Sequence, residues 1–180
     1  MFRYIAMAIL AAVLLTGCLT PVTKEYKINV NSDGSGKGTI RFVDIISSEP
    51  EDDAEMQSDF DELINDYLEG TYFEDDYPGM IVTDKKLFEE KGVLVGQIDF
   101  EFESIEALEF FRYDECDCCP WMLLGLISDE NLITSNGETV DGENPIYIWP
   151  PDTKEMEFTT VLSSKSDGKS LLPLYKEWKQ

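Results

Sequence analysis

The chain has 180 residues, no histidine, and 37 acidic against 14 basic side chains, a formal net charge of −23. Without imidazole, Ser-His-Asp and Cys-His catalysis, histidine metal sites and the usual near-neutral proton shuttle are excluded. So acidic a surface repels nucleic acid and bare anionic headgroups, so no nucleic-acid partner is expected; nor is a cofactor.

The chain opens "MFRYIAMAILAAVLLTGCLT". One cation, Arg3, precedes an apolar run from Ile5 to Leu15, the pattern of a signal peptide rather than of a spanning helix. It closes on Leu15-Thr16-Gly17-Cys18, a lipobox: small residues suit the peptidase, and the thiol of Cys18 takes a diacylglycerol. Residues 1–17 are therefore expected as a lipoprotein leader and 18–24 as a lipidated tether. The expected location is the bacterial cell envelope, with the membrane reached through the lipid anchor and the domain exported. No second apolar run approaches a membrane span.

A β-hairpin is predicted next. Tyr26, Ile28 and Val30 alternate with polar residues, as do Ile40 and Phe42 beyond a turn at Asp33-Gly34-Ser35-Gly36. Asn29, Asn31 and Asp33 mimic a calcium loop, but its twelfth position is Ile40, where calcium needs a bidentate glutamate. A helix should come after it, capped by Ser48 with Glu51 completing the capping box and Pro50 in the first turn. Met56, Phe60, Leu63, Ile64, Tyr67 and Leu68 fall along one helical face, and Gly70 is a natural stop. A second hairpin turns near Glu90-Lys91-Gly92, with Ile98, Phe100 and Phe102 on its buried face. Ser104 then caps a short helix carrying Ile105, Leu108 and Phe111.

Residues 131–162 read as a β-rich subregion with turns at Asn136-Gly137 and Asp141-Gly142, and "SLLPLYKEWKQ" as a short terminal helix. The fold class is thus α+β. It comprises a single domain over 25–180, an antiparallel sheet from two hairpins with helices on one face (ββαββα), then C-terminal strands.

"YDECDCCPW" places Cys116, Cys118 and Cys119 within four residues. Outside the cytoplasm an odd set of thiols cannot all pair within one chain. A Cys116–Cys119 bridge is geometrically easy, with Cys118 left over. A reactive pair is disfavoured, because the cluster comes after a helix and beside Asp114, Glu115 and Asp117, all of which oppose a thiolate. Three thiolates with Met122 would alternatively suit Cu(I), whereas zinc lacks a fourth ligand.

The hairpin "YKINVNSDGSGKGTIRF", the amphipathic helix, "GVLVGQIDFEFESIEAL" and "ITSNGETVDGENPIYIWP" together resemble the LppM-like bacterial envelope lipoproteins. That family pairs an Asn-Gly turn with a strand ending near Trp, as Asn136-Gly137 and Trp149 do here. The resemblance spans most of residues 25–162 and leaves out the cysteine cluster. It implies a surface-anchored α+β domain, with recognition of an envelope glycolipid as one role.

The function expected is non-enzymatic: an anchored lipoprotein that binds an envelope component, a glycolipid or a protein partner. Aromatic side chains are the candidate walls of a ligand groove: Tyr72, Phe73, Tyr77, Trp121, Tyr147 and Trp149. The rival is a soft-metal or redox protein using Cys116, Cys118 and Cys119. No pair among the many carboxylates is singled out for hydrolysis.

Overall fold

A computed structural model describes residues 19–48, 50–77, 79–112, 116, 118–124, 130–140, 145–162 and 168–180. The expected leader, Cys18 and the Asp141-Gly142 turn lie outside these residues.

The first hairpin forms from β1 (Leu19–Val30) and β2 (Gly36–Ser47), with Tyr26 opposite Ile40. Gly34 takes the left-handed backbone that its turn needs (φ 84°), and the Asp33 carboxylate accepts from the Ser35 amide and hydroxyl. Residues 19–24, expected as a tether, are instead part of β1. Leu19 faces Ser47 and Lys24 faces Phe42, because β2 is long enough to pair with the whole strand.

The helix starts later than expected. Asp52, not Ser48, caps α1 (Asp53–Glu62), its carboxylate accepting from the amides of Ala54 and Glu55. The helix widens into a π-helical turn, Leu63–Leu68, and then comes a short helix, α2 (Tyr72–Asp76). Phe60, Leu63 and Ile64 are buried, as the periodicity requires.

The second hairpin pairs β3 (Ile81–Glu90) with β4 (Val93–Phe102), turning through Lys91 and Gly92, both at positive φ. Ser104 is a cap, as expected, but the element it opens is a single 3₁₀ turn, Ile105–Leu108, rather than an α-helix. The remaining elements are β5 (Trp121–Leu124), β6 (Glu130–Ser135), β7 (Glu138–Val140), β8 (Ile146–Trp149), β9 (Glu155–Leu162), β10 (Lys169–Ser170) and α3 (Leu172–Trp178).

Two sheets result, both antiparallel. The large one runs β3-β4-β2-β1-β9-β6, with β10 added to β2, and the small one runs β5-β8-β7. The fold is therefore mixed and mainly sheet, and the ββαββα layout matches it only loosely. The C-terminal strands do not form one group. β6 and β9 extend the large sheet past β1, while β7 and β8 leave it to pair with β5. Both outer strands of the large sheet are bulged, β3 between Val82 and Asp84 and β6 between Leu132 and Thr134.

Alternation gives this sheet two unlike faces. On one, Arg41 bridges Glu25 and Glu90, and Lys27 bridges Glu155 and Glu157. Asp99 also lies here. Partial burial opposes its charge, but hydrogen bonds from Thr39, Gln97 and Lys86 outweigh that and hold its carboxyl below the usual range. The other face is apolar, and its cross-strand rows can be read from the register. Phe158, Tyr26, Ile40, Ile98 and Lys85 form one row, and Met156, Ile28, Gly38, Phe100 and Val82 the next. Gly38 is required where it stands, because the Phe100 ring lies across it and a Cβ there would come within 2.3 Å of that ring.

Two covers close the apolar face. At one end, Trp121, Leu123, Tyr147 and Trp149 of the small sheet join Ile28, Phe100, Phe102 and Met156 in a first core. At the other, Phe60, Leu63 and Ile64 join Leu171, Leu172 and Tyr175 of α3 over Ile45 and Leu94. Among the described residues no helix is long and apolar enough to cross a membrane.

Candidate functional site

A cavity of about 760 Å³ lies where the two covers meet. This is within the size range of sites that hold small molecules. Its floor is the middle of the large sheet: Tyr26, Ile28, Ile40, Phe42, Ile98 and Phe100. One wall comes from the helical cover through Leu63, Tyr67, Leu68, Tyr72, Phe73 and Tyr77, and the opposite wall includes Leu123 and Tyr147 of the small sheet.

The walls are ordered by ring contacts. Tyr26 stacks on Phe158 with centroids 4.4 Å apart. On the other side Phe42 meets Phe73 at 5.5 Å, Phe73 meets Tyr67 at 5.6 Å, and Tyr67 meets Tyr72 at 4.4 Å. This chain of rings carries the helical wall from the sheet out to solvent, where Tyr72 and Tyr77 are 42% and 46% exposed. The π-helical turn contributes by geometry. Its wider winding keeps Leu63, Ile64, Tyr67 and Leu68 toward the sheet, and such turns recur at functional sites.

A polar tie holds this wall in place. The Lys85 ammonium, on the inner row of β3, donates to the Gly70 carbonyl and to the Glu74 carboxylate, the latter at 3.1 Å. Lys85 therefore fixes the segment between the π turn and α2 against the sheet. At the far end of this cover the Tyr175 hydroxyl donates to the Leu87 carbonyl at 2.9 Å, and Ser47 donates to the buried Asp59 carboxylate.

Of the six aromatic residues expected to wall a groove, Tyr72, Phe73, Tyr77 and Tyr147 line the cavity. Trp121 and Trp149 do not. Trp121 is buried in the first core with the Arg112 guanidinium 4.6 Å over its ring. Trp149 is fully buried between Phe110 and Phe158, and its indole N–H donates to the Asn136 side-chain oxygen at 2.7 Å. A buried indole needs such an acceptor, which holds the ring in the core and away from the cavity.

Asn136 has a larger part than that of a turn residue. Its Oδ1 also accepts from the Glu157 amide at 2.9 Å, its Nδ2 donates to the Glu155 carbonyl, and its backbone N–H donates to the Glu157 carbonyl. One side chain thus fastens the small sheet, through Trp149, to β9 of the large one. Gly137 fits beside it because a Cβ there would meet the Trp149 ring at 2.7 Å.

Tyr67, Lys24 and Lys85 are among the lining residues that the aromatic candidates leave out. Tyr67 was legible as part of an apolar helical face. Lys24 shares the alternation of Tyr26, Ile28 and Val30, a signal that a tether over 18–24 conceals.

The cysteines lie apart from the cavity. Cys116 and Cys119 are joined as a disulfide, with Cα atoms 5.3 Å apart, and Cys118 is exposed with its sulfur 3.0 Å from that of Cys116. The three sulfurs are within 4.8 Å of one another. A bonded pair offers no thiolate to a metal, so in this state the cluster supplies one free thiol. Met122, the fourth ligand considered for copper, is buried on β5, where its backbone pairs with Phe111.

Comparison with protein-family models, with curated proteins and with solved structures finds no match for this chain.

Proposed function

We propose that the chain is an anchored lipoprotein of the bacterial envelope whose domain binds a chain-bearing envelope molecule without catalysis, as the resemblance to LppM-like lipoproteins suggests. The observation that carries the reading is the aromatic-walled cavity between the two covers. Apolar walls with few polar groups suit the binding of a flexible apolar chain, and exposed tyrosines at the rim suit a polar head such as a sugar. Leu19, Thr20 and Pro21, which follow the residue proposed to carry the anchor in sequence, line the same cavity.

Two measurements test this reading. Mass spectrometry of the N-terminal peptide from membranes should find acylated Cys18, and an unacylated peptide starting elsewhere removes the anchor. For the site, the full chain purified from membranes should carry a lipid released on denaturation. Ile40→Trp, which fills the cavity floor, should lose that lipid while keeping a cooperative melt. An empty wild-type protein, or the same lipid content in both, overturns the binding role.

A further inference from the structure

We propose that Cys116, Cys118 and Cys119 form a redox-gated site for one Cu(I) ion, held by three thiolates once a dithiol has reduced the Cys116–Cys119 disulfide. The site is separate from the cavity and does not depend on what the cavity binds.

The disulfide is not what gathers these side chains. It joins residues only three apart in sequence, and a bridge stabilises less the shorter the loop it closes. The same turn is already closed by the Cys119 amide, which donates to the Cys116 carbonyl at 2.9 Å. The segment that carries the turn is closed at its base, where Phe111 and Met122 exchange two backbone hydrogen bonds of 2.8 Å. Trp121, buried in the first core beneath the Arg112 guanidinium, fixes the outgoing strand. Opening the disulfide therefore leaves all three thiols on one held turn.

Their spacing and chemistry then select the ligand. The three sulfurs lie within 4.8 Å of one another, with that of Cys118 3.0 Å from that of Cys116. Three thiolates around one ion, at the usual metal–sulfur length of about 2.3 Å, stand about 4 Å apart, so the cluster needs little rearrangement. Soft thiolates favour a soft ion, and three of them suffice for Cu(I). A structural zinc takes four ligands, and the chain has no histidine to complete the set. Met122 is buried on β5 while Cys118 is exposed, so the ion arrives from solvent and the set closes without the thioether. A net charge of −23 draws cations toward the surface.

The chemistry balances in two steps. The dithiol gives two electrons and two protons to the Cys116–Cys119 bond, which breaks into two thiols, and the reductant leaves as its own disulfide. Cu(I) then displaces three protons as three copper–sulfur bonds form. With one thiol left, the oxidised cluster does not hold the ion.

Competition with the chromophoric Cu(I) chelator bicinchoninate tests the proposal, on the full chain purified from membranes and handled without oxygen. Protein reduced with dithiothreitol and then freed of it should withdraw one equivalent of Cu(I), and X-ray absorption at the copper edge should show three sulfur neighbours. Protein kept oxidised should withdraw none. Reduced Cys118→Ser should fall to two sulfur neighbours and surrender the ion at a lower chelator concentration. Its oxidised form, which keeps the disulfide, should melt with wild type and so shows that the variant is folded. The double variant Cys116→Ser, Cys119→Ser should take up no copper. Absence of uptake by reduced wild type overturns the site, and equal uptake by oxidised protein overturns the gate. Three sulfur neighbours that survive Cys118→Ser place the copper elsewhere and overturn the assignment. Retention of Zn(II) when Cu(I) is offered overturns the choice of ion. Reduced wild type without a cooperative melt overturns the held turn on which the site rests.

Discussion

The small three-stranded sheet and the helical layer cover adjoining parts of one apolar face, but they are held to it differently. The small sheet is locked from within. Trp149 is fully buried, and its indole N–H is bound by the same Asn136 that grips β9. The helical layer is tied at its margins instead, by Lys85 to Gly70 and Glu74, by Tyr175 to Leu87 and by Ser47 to Asp59. Between these ties it presents half-buried and exposed tyrosines. The part of the helical layer that borders the cavity, where Tyr72 and Tyr77 are exposed, is the side that local opening would move first, since such opening draws on the least buried segments.

The contrast can be broken most severely at Trp149. Trp149→Ala should cost about 3–5 kcal/mol in chemical denaturation, the range for a buried aromatic, and should detach the small sheet. Leu63→Ala probes the helical cover. It should cost about 2–5 kcal/mol, and its hydrogen-exchange effect should stay within α1, the π turn and α3. If both substitutions loosen both covers equally, the two walls act as one unit and the contrast fails.

Asn136→Ala sharpens the comparison with less damage. It leaves the Trp149 N–H and the Glu157 amide without their acceptor, so a loss of about 1–3 kcal/mol is expected. Hydrogen exchange should show the strands of the small sheet opening at denaturant concentrations where α3 is still protected.

The smallest effect belongs to Glu62, at the junction of α1 and the π turn. Burial raises its carboxyl above the usual 4.5, with the charges of Asp59 and Asp66 adding to the effect. Because the folded state holds this proton more tightly than the unfolded one, the associated stability is present below that value. It is lost as pH rises through the raised one. Glu62→Gln should therefore melt higher than wild type at neutral pH, with the gap closing in acid. A gap independent of pH would assign the effect to something other than this carboxyl.

The hairpins were legible because alternation and turn chemistry are local. Tyr26, Ile28 and Val30 face inward, and Gly34 and Gly92 take the backbone that their turns need. The helix was legible from its spacing, but not where it starts. Ser48 and Asp52 are both good caps, and only the observed bonds from Ala54 and Glu55 decide for Asp52. The division into two sheets was hidden, because β6 bypasses its nearest neighbours in sequence to pair with β9. The cavity was hidden for the same reason. It is a gap among elements that meet through long-range pairing, and no stretch of sequence encodes a space. Four of the six expected wall residues reach it, whereas the two tryptophans were drawn into the core by their size and their need for partners.

The two bulges in the large sheet bear on how neighbouring copies coexist. Each outer strand shows an exposed isoleucine, Ile81 on β3 at 53% and Ile133 on β6 at 52%. A flat, apolar border of this kind is a template on which another chain can add a strand and begin a fibre. In both strands the irregularity falls beside that isoleucine, at Val82/Asp84 and at Leu132/Thr134. A strand arriving from a second molecule would lose register within a few residues of its first contact. Asp84 and Lys86, which come next on the polar face of β3, add an exposed ion pair beside the broken ladder. Were copies crowded on a membrane by the proposed anchor, their concentration would rise without a regular outer edge of the large sheet along which to polymerise.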